Sequence, residues 1–144
     1  MKSFVKRLFC GTLVLALVSS LVFASASEYS SLYLDSYGAA VTPRSGGKMV
    51  VSVDVMGRGE QEMLGSTLII IYESTDNKVF KRVASYSYED YPAMMGSGMF
   101  YYEDPVTYYG TPGYYYKASV YVYAGDGVNG TERNYTTSSK RAIS

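Results

Sequence analysis

Residues 49–55 read Met49-Val50-Val51-Ser52-Val53-Asp54-Val55, and their alternation decides the fold. Met49, Val51, Val53 and Val55 fall on one side and Val50, Ser52 and Asp54 on the other. That is the two-residue period of a strand with one face on a core. Upstream, Ser31 to Leu34 and Ala39 to Val41 read as a first strand broken near Gly38, with Pro43 and Gly46-Gly47 turning into the Met49 strand. Downstream, Thr67 to Glu73 is almost continuously apolar, as expected of a central strand covered on both faces. The turn formers Ser74 to Asn77 precede a returning strand, Val79 to Tyr88. Glu89 to Gly98, with Pro92 and two glycines, reads as a loop. Strands then follow over Met99 to Tyr109, broken near Pro105, and over Tyr114 to Ala124. Gly125-Asp126-Gly127 and Asn129-Gly130 form a turn before a last strand over Arg133 to Ala142. About seven strands, with no helical stretch after the N-terminus, predict an all-β antiparallel sandwich, a barrel being the alternative.

The N-terminus has the zones of a secretory signal. Lys2, Lys6 and Arg7 are followed by the mostly apolar stretch Leu8 to Phe23, and then by Ala24-Ser25-Ala26, whose small residues suit a signal peptidase. Cleavage after Ala26 is expected, giving a signal peptide over 1–26 and a single β-sandwich domain over 27–144. The apolar stretch contains Gly11, Thr12, Ser19 and Ser20 and falls short of the roughly 20 residues of a membrane span. Cys10 precedes the dense run Leu13 to Val18, the wrong side for a lipidated cysteine. The expected location is therefore secreted, extracellular or cell-surface, with membrane contact only through the signal before cleavage.

Removing the signal removes the single cysteine, so the mature chain can carry no disulfide. It also removes three of the 13 basic residues and none of the 13 acidic ones, leaving a net charge of −3. A mildly acidic chain without a basic run does not predict nucleic-acid binding.

Thr111-Pro112-Gly113-Tyr114-Tyr115-Tyr116 leads into alternating Ala118, Val120 and Val122. This segment resembles the corner and following strand of fibronectin type III and other immunoglobulin-like domains, in the disulfide-free branch. The resemblance implies a tyrosine corner built by Pro112, Gly113 and Tyr116, with Tyr116 turned inward and its hydroxyl bonded to backbone near Tyr108 to Thr111. Leu64-Gly65-Ser66 before Ile69 and Ile71, Tyr72 with its Asp76-Asn77 turn, and the Pro112-Gly113…Tyr116 corner also resemble uncharacterised short secreted proteins of Gram-positive bacteria. That likeness implies a secreted β-sandwich.

The chain has no histidine, which removes Ser-His-Asp and Cys-His catalysis and histidine metal sites. Gly57-Arg58-Gly59 lacks the further glycines and the helix of a phosphate cradle. Carboxylate pairs remain, Glu89-Asp90 and Glu103-Asp104, but adjacent residues of a strand point to opposite faces, so no catalytic residues are expected. Asp126, Asn129 and Glu132 surround one hairpin without the spacing of a calcium loop. Gly127 and Gly130 there read as turn residues with positive φ, and neither metal nor cofactor is expected. Met94, Met95 and Met99 are expected to plug one end of the sandwich. Asn129-Gly130-Thr131 and Asn134-Tyr135-Thr136 are glycosylation sequons, relevant only to a eukaryotic route.

All 17 tyrosines follow the signal, and there is no tryptophan. Tyr115, Tyr121 and Tyr123 share one strand face, opposite Tyr116 and the valines. Such a face either stabilises the sheet through cross-strand pairs or forms a binding surface for sugars or proteins. The expected function is that of a non-catalytic extracellular module binding a protein or surface polymer. A carbohydrate-binding domain using the tyrosine face is the alternative.

Overall fold

The alternation over 49–55 buries its apolar side almost completely, with Met49 and Val51 1% exposed and Val53 and Val55 fully covered. Each such side chain contributes about 1.5–3 kcal/mol relative to exposure, so the register of this strand is strongly specified. A computed structural model describes residues 31–144, which form one unit. The signal peptide over 1–26 and the domain start at Ser27 lie outside the described residues.

Among the described residues nine strands follow in order: β1 (Leu34–Pro43), β2 (Lys48–Gln61), β3 (Met63–Ser74), β4 (Lys81–Ser87), β5 (Met95–Gly96), β6 (Met99–Tyr109), β7 (Tyr115–Gly125), β8 (Gly130–Thr136) and β9 (Lys140–Arg141). The first sheet has the order β1-β2-β6 and the second β4-β3-β7-β8, with β5 added to β3 and β9 to β7. All pairings are antiparallel. Residues of both sheets form one core, in which Val51, Val53 and Val55 of β2 join Leu64, Ile69 and Ile71 of β3 and Ala118, Val120 and Val122 of β7. The fold is all-β and sandwich-like.

Several segments differ from the sequence reading. Seven strands have full length, and the two further ones are two-residue additions. The first strand is continuous through Gly38, which pairs with Asp54. A Cβ at Gly38 would stand 3.2 Å from Asp54 Oδ2, so the glycine admits a carboxylate rather than breaking the strand. Within 89–98, a 3-10 turn at Pro92–Met94 leads into β5. Its approach depends on Gly65, where a Cβ would overlap the Met94 carbonyl oxygen. Met94 joins the core, while Met95 and Met99 are half-buried.

The last strand is two, separated by residues 137–139. Thr137 is 5% exposed, donates its N–H to Ala118 O (2.9 Å) and accepts the Ala118 N–H on its hydroxyl (3.0 Å). A side chain here replaces a ladder bond, which interrupts β8 before the chain rejoins β7 as β9. On β3, Ile69 and Ile71 face the core. On the outer face Ile70 is also buried, but Leu68 and Tyr72 are half-buried, so that face is only partly covered.

Candidate functional site

The β6–β7 turn brings Pro112, Gly113 and Tyr116 together. Gly113 has φ +90°, a left-handed conformation suited to glycine. Tyr116 is fully covered, and its hydroxyl accepts the Thr111 N–H (2.7 Å) and donates to Glu73 Oε2 (2.7 Å). Glu73 in turn lies 3.7 Å from Lys81 Nζ. The Tyr116 hydroxyl pKa is pushed up to about 12, chiefly by burial and then by the bond to Glu73. Both hydrogen bonds of the Tyr116 hydroxyl hold the turn, which gives this residue an architectural role.

Tyr115, Tyr121 and Tyr123 all lie half-buried on the outer face of the second sheet, but in different settings. Tyr115 pairs with Arg141 of β9. Tyr123 belongs to the β7–β8 hairpin: its hydroxyl accepts the Gly127 N–H (3.1 Å) and donates to Asn129 O (3.3 Å). A Cβ on Gly130 would overlap that hydroxyl. Gly127 has the expected positive φ, of +90°, but Gly130 does not, and its need for glycine is room for Tyr123. Tyr121 lines an open concavity.

That concavity is a groove of about 580 Å³ lined by Thr67, Leu68, Ser87, Tyr88, Glu89, Tyr121 and Glu132. Strand register assembles it. Ser87, Leu68, Tyr121 and Asn134 form one row across β4, β3, β7 and β8. A bulge between Ser66 and Leu68 leaves Thr67 unpaired in the ladder. Bulges re-aim side chains, and here the Thr67 hydroxyl lies 2.8 Å from Glu132 Oε2 and 3.3 Å from Tyr121 O. Among the described residues, Glu132 Oε1 makes no hydrogen bond.

The groove wall is therefore rich in acceptors and has no cation. The positive side chains of this face stand further along it. Tyr72 pairs with Arg82 and Lys117, and Lys117 Nζ lies 4.2 Å from the Phe80 ring centre. Thr67, Leu68, Ser87 and Tyr88 were not singled out by their sequence context. The run Gly65-Ser66-Thr67 ahead of an apolar strand is the one local signal of a bulge there.

The other carboxylates do not converge. Asp90 Oδ2 accepts the Ser87 hydroxyl (3.1 Å), Glu103 accepts that of Tyr101 (3.0 Å) and Asp104 that of Tyr102 (3.2 Å). Asp126 Oδ1 caps its own turn through the N–H groups of Asn129 (2.6 Å) and Val128 (2.8 Å), which hold its pKa below the usual carboxylate value. Glu132 turns to Thr67 rather than joining Asp126. Among the described residues no three acidic side chains form a metal-holding group. Asn134 of the second sequon spends its amide on Ser119 Oγ (3.1 Å) and Val120 O (3.3 Å). Compared with protein-family models, curated proteins and solved structures, the chain shows no match to any of them.

Proposed function

We propose that the chain is exported, and that residues 27–144 act outside the cell as a non-catalytic binding module of the immunoglobulin/fibronectin III-like type. Two facing sheets and the Thr111 N–H to Tyr116 bond support that family of sandwich. The observation that carries the binding role is the groove at Tyr121. An aromatic ring and unspent carboxylate oxygens meet there in a concavity of about 580 Å³, within the common size range of ligand sites. The absence of histidine, and of cysteine after residue 10, removes Ser-His and Cys-His nucleophile–base pairs, and hydrolysis by the groove carboxylates Glu89 and Glu132 is what the reducing-end assay below reads. The ligand in this reading is a surface polymer or a protein displayed at the cell exterior.

Two measurements test the proposal. Full-length chain expressed in a Gram-positive host should appear in the medium with Ser27 as its N-terminus. Uncleaved chain confined to the membrane fraction would contradict export. The cleaved domain should co-sediment with purified Gram-positive cell walls, without releasing reducing ends. Tyr121→Ala should weaken retention more than about tenfold, as expected for an aromatic anchor. Equal retention of both proteins would contradict the groove as the site.

A further inference from the structure

We infer that the Tyr121 groove takes a sugar residue that offers hydroxyl or ammonium donors and bears no acidic group. The inference rests on the binding role proposed above and names the chemistry of the ligand. Three features of the groove point to it.

The first is the balance of donors and acceptors. Glu89 and Glu132 line the groove, and both are exposed. Neither lysine nor arginine lines it. Ionised carboxylates only accept hydrogen bonds. A uronic acid, sulfated sugar or phosphate polymer would bring its charge against two like charges with no cation among the lining side chains, the neighbouring Arg133 guanidinium being turned to Glu132 O (2.9 Å), whereas a hydroxyl or ammonium group finds acceptors.

The second is the shape of the polar groups. Thr67 holds Glu132 Oε2 at 2.8 Å, which fixes the carboxylate while leaving Oε1 for an incoming donor. Such a bond to an ionised acceptor is stronger than one between neutral partners. The bulge at Thr67 thus orients an acceptor, instead of only relieving the β3–β7 register.

The third is the apolar wall. Leu68 and Tyr121 are paired across β3 and β7 on the same face, and both are half-buried. A pyranose has a face of C–H groups and a rim of hydroxyls. Tyrosine offers it a flat apolar body, while Glu132 and Glu89 meet the rim. A lysine side chain also meets carboxylates and an aromatic ring, but it offers one ammonium and no rim of hydroxyls to engage Glu89 and Glu132 together, and the hexalysine probe below separates the two.

The test compares four probes of equal length: chitohexaose (neutral), its deacetylated glucosamine hexamer (cationic), a hexamer of galacturonic acid (anionic) and hexalysine. Titration calorimetry of the cleaved domain should show binding of chitohexaose or the glucosamine hexamer and none of the galacturonate. Tyr121→Ala should weaken that binding more than about tenfold. Glu132→Gln, which preserves size and leaves the fold intact by circular dichroism, should weaken the glucosamine hexamer by about tenfold.

Galacturonate binding that matches or exceeds the neutral probe overturns the inference. So does hexalysine binding as tightly as the glucosamine hexamer in a Glu132-dependent way, which would make the groove a reader of basic peptides. If cell-wall retention depends on Tyr121 but neither sugar hexamer binds, the ligand class is wrong and the groove stands. If cell-wall retention does not depend on Tyr121, the binding role itself fails.

Discussion

The ring of Tyr116 occupies the space beside Gly110 that any larger residue would need: a Cβ there would lie 2.6 Å from Tyr116 Cε2. Gly110 also donates its N–H to Gly47 O (2.9 Å), and the next residue, Thr111, donates to the Tyr116 hydroxyl. The turn, the ring and the β1–β2 connection thus fix one another.

Tyr116→Phe leaves the Thr111 N–H without its acceptor and Glu73 without its donor. Stranding such groups costs about 1–3 kcal/mol, and urea denaturation should show a loss in that range with an unchanged slope. Gly110→Ala should cost a similar amount, about 1–3 kcal/mol, by overpacking against the ring. Wild-type stability in both variants would contradict a structural role for the corner.

Alkaline titration should expose the same residue. Burial, then the bond to Glu73, pushes Tyr116 up to about 12, and burial followed by Asp104 moves Tyr102 in the same direction. A tyrosine in the unfolded chain ionises near about pH 10. Between these values the native state retains protons that the unfolded state releases, so this contribution is complete below about pH 10 and declines through about pH 12. Denaturation midpoints should fall over that window, less steeply in Tyr116→Phe. A flat profile to pH 12 would contradict the buried hydroxyl.

Ser66 should respond in the opposite sense. It is 1% exposed, and among the described residues its hydroxyl has no hydrogen-bond partner. Ser66→Ala removes a desolvated group that gains nothing from the fold, so thermal unfolding should show no loss and a gain of up to about 1 kcal/mol. A loss above that size would mean the hydroxyl has a partner in solution.

Pro105 stands at the middle of β6, an edge of the first sheet, opposite Ser52. A proline offers no N–H to an approaching strand. Pro105→Thr should leave the melting temperature near wild type while sedimentation velocity detects concentration-dependent association. A strictly monomeric variant would show that the charged neighbours Glu103 and Asp104 suffice to protect this edge.

What the sequence made legible follows from the range of the interactions. The two-residue period over 49–55 and the apolar run over 67–73 are local, and they locate β2 and β3. The sequence Pro112-Gly113 with Tyr116 is local too, and it marks the β6–β7 turn. Glu73 as the partner of Tyr116 is not visible, because 43 residues separate them and only the β3–β7 register brings them together. The groove was hidden for the same reason. Thr67, Glu132 and Ser87 come from three strands, and none sits in a motif. Tyr115, Tyr121 and Tyr123 share a face as their spacing requires. Which of the three borders open space depends instead on the hairpin that engages Tyr123 and on the bulge beside Tyr121.

The most direct measurement of the binding role is an amide NMR titration of the cleaved domain with the glucosamine hexamer. Shift changes should concentrate at Thr67, Leu68, Ser87, Tyr121 and Glu132, and disappear in Tyr121→Ala. Changes confined to the first sheet around Asp54 and Tyr101 would contradict the groove as the site, and no change at saturation with this hexamer or with chitohexaose would contradict a sugar as its ligand.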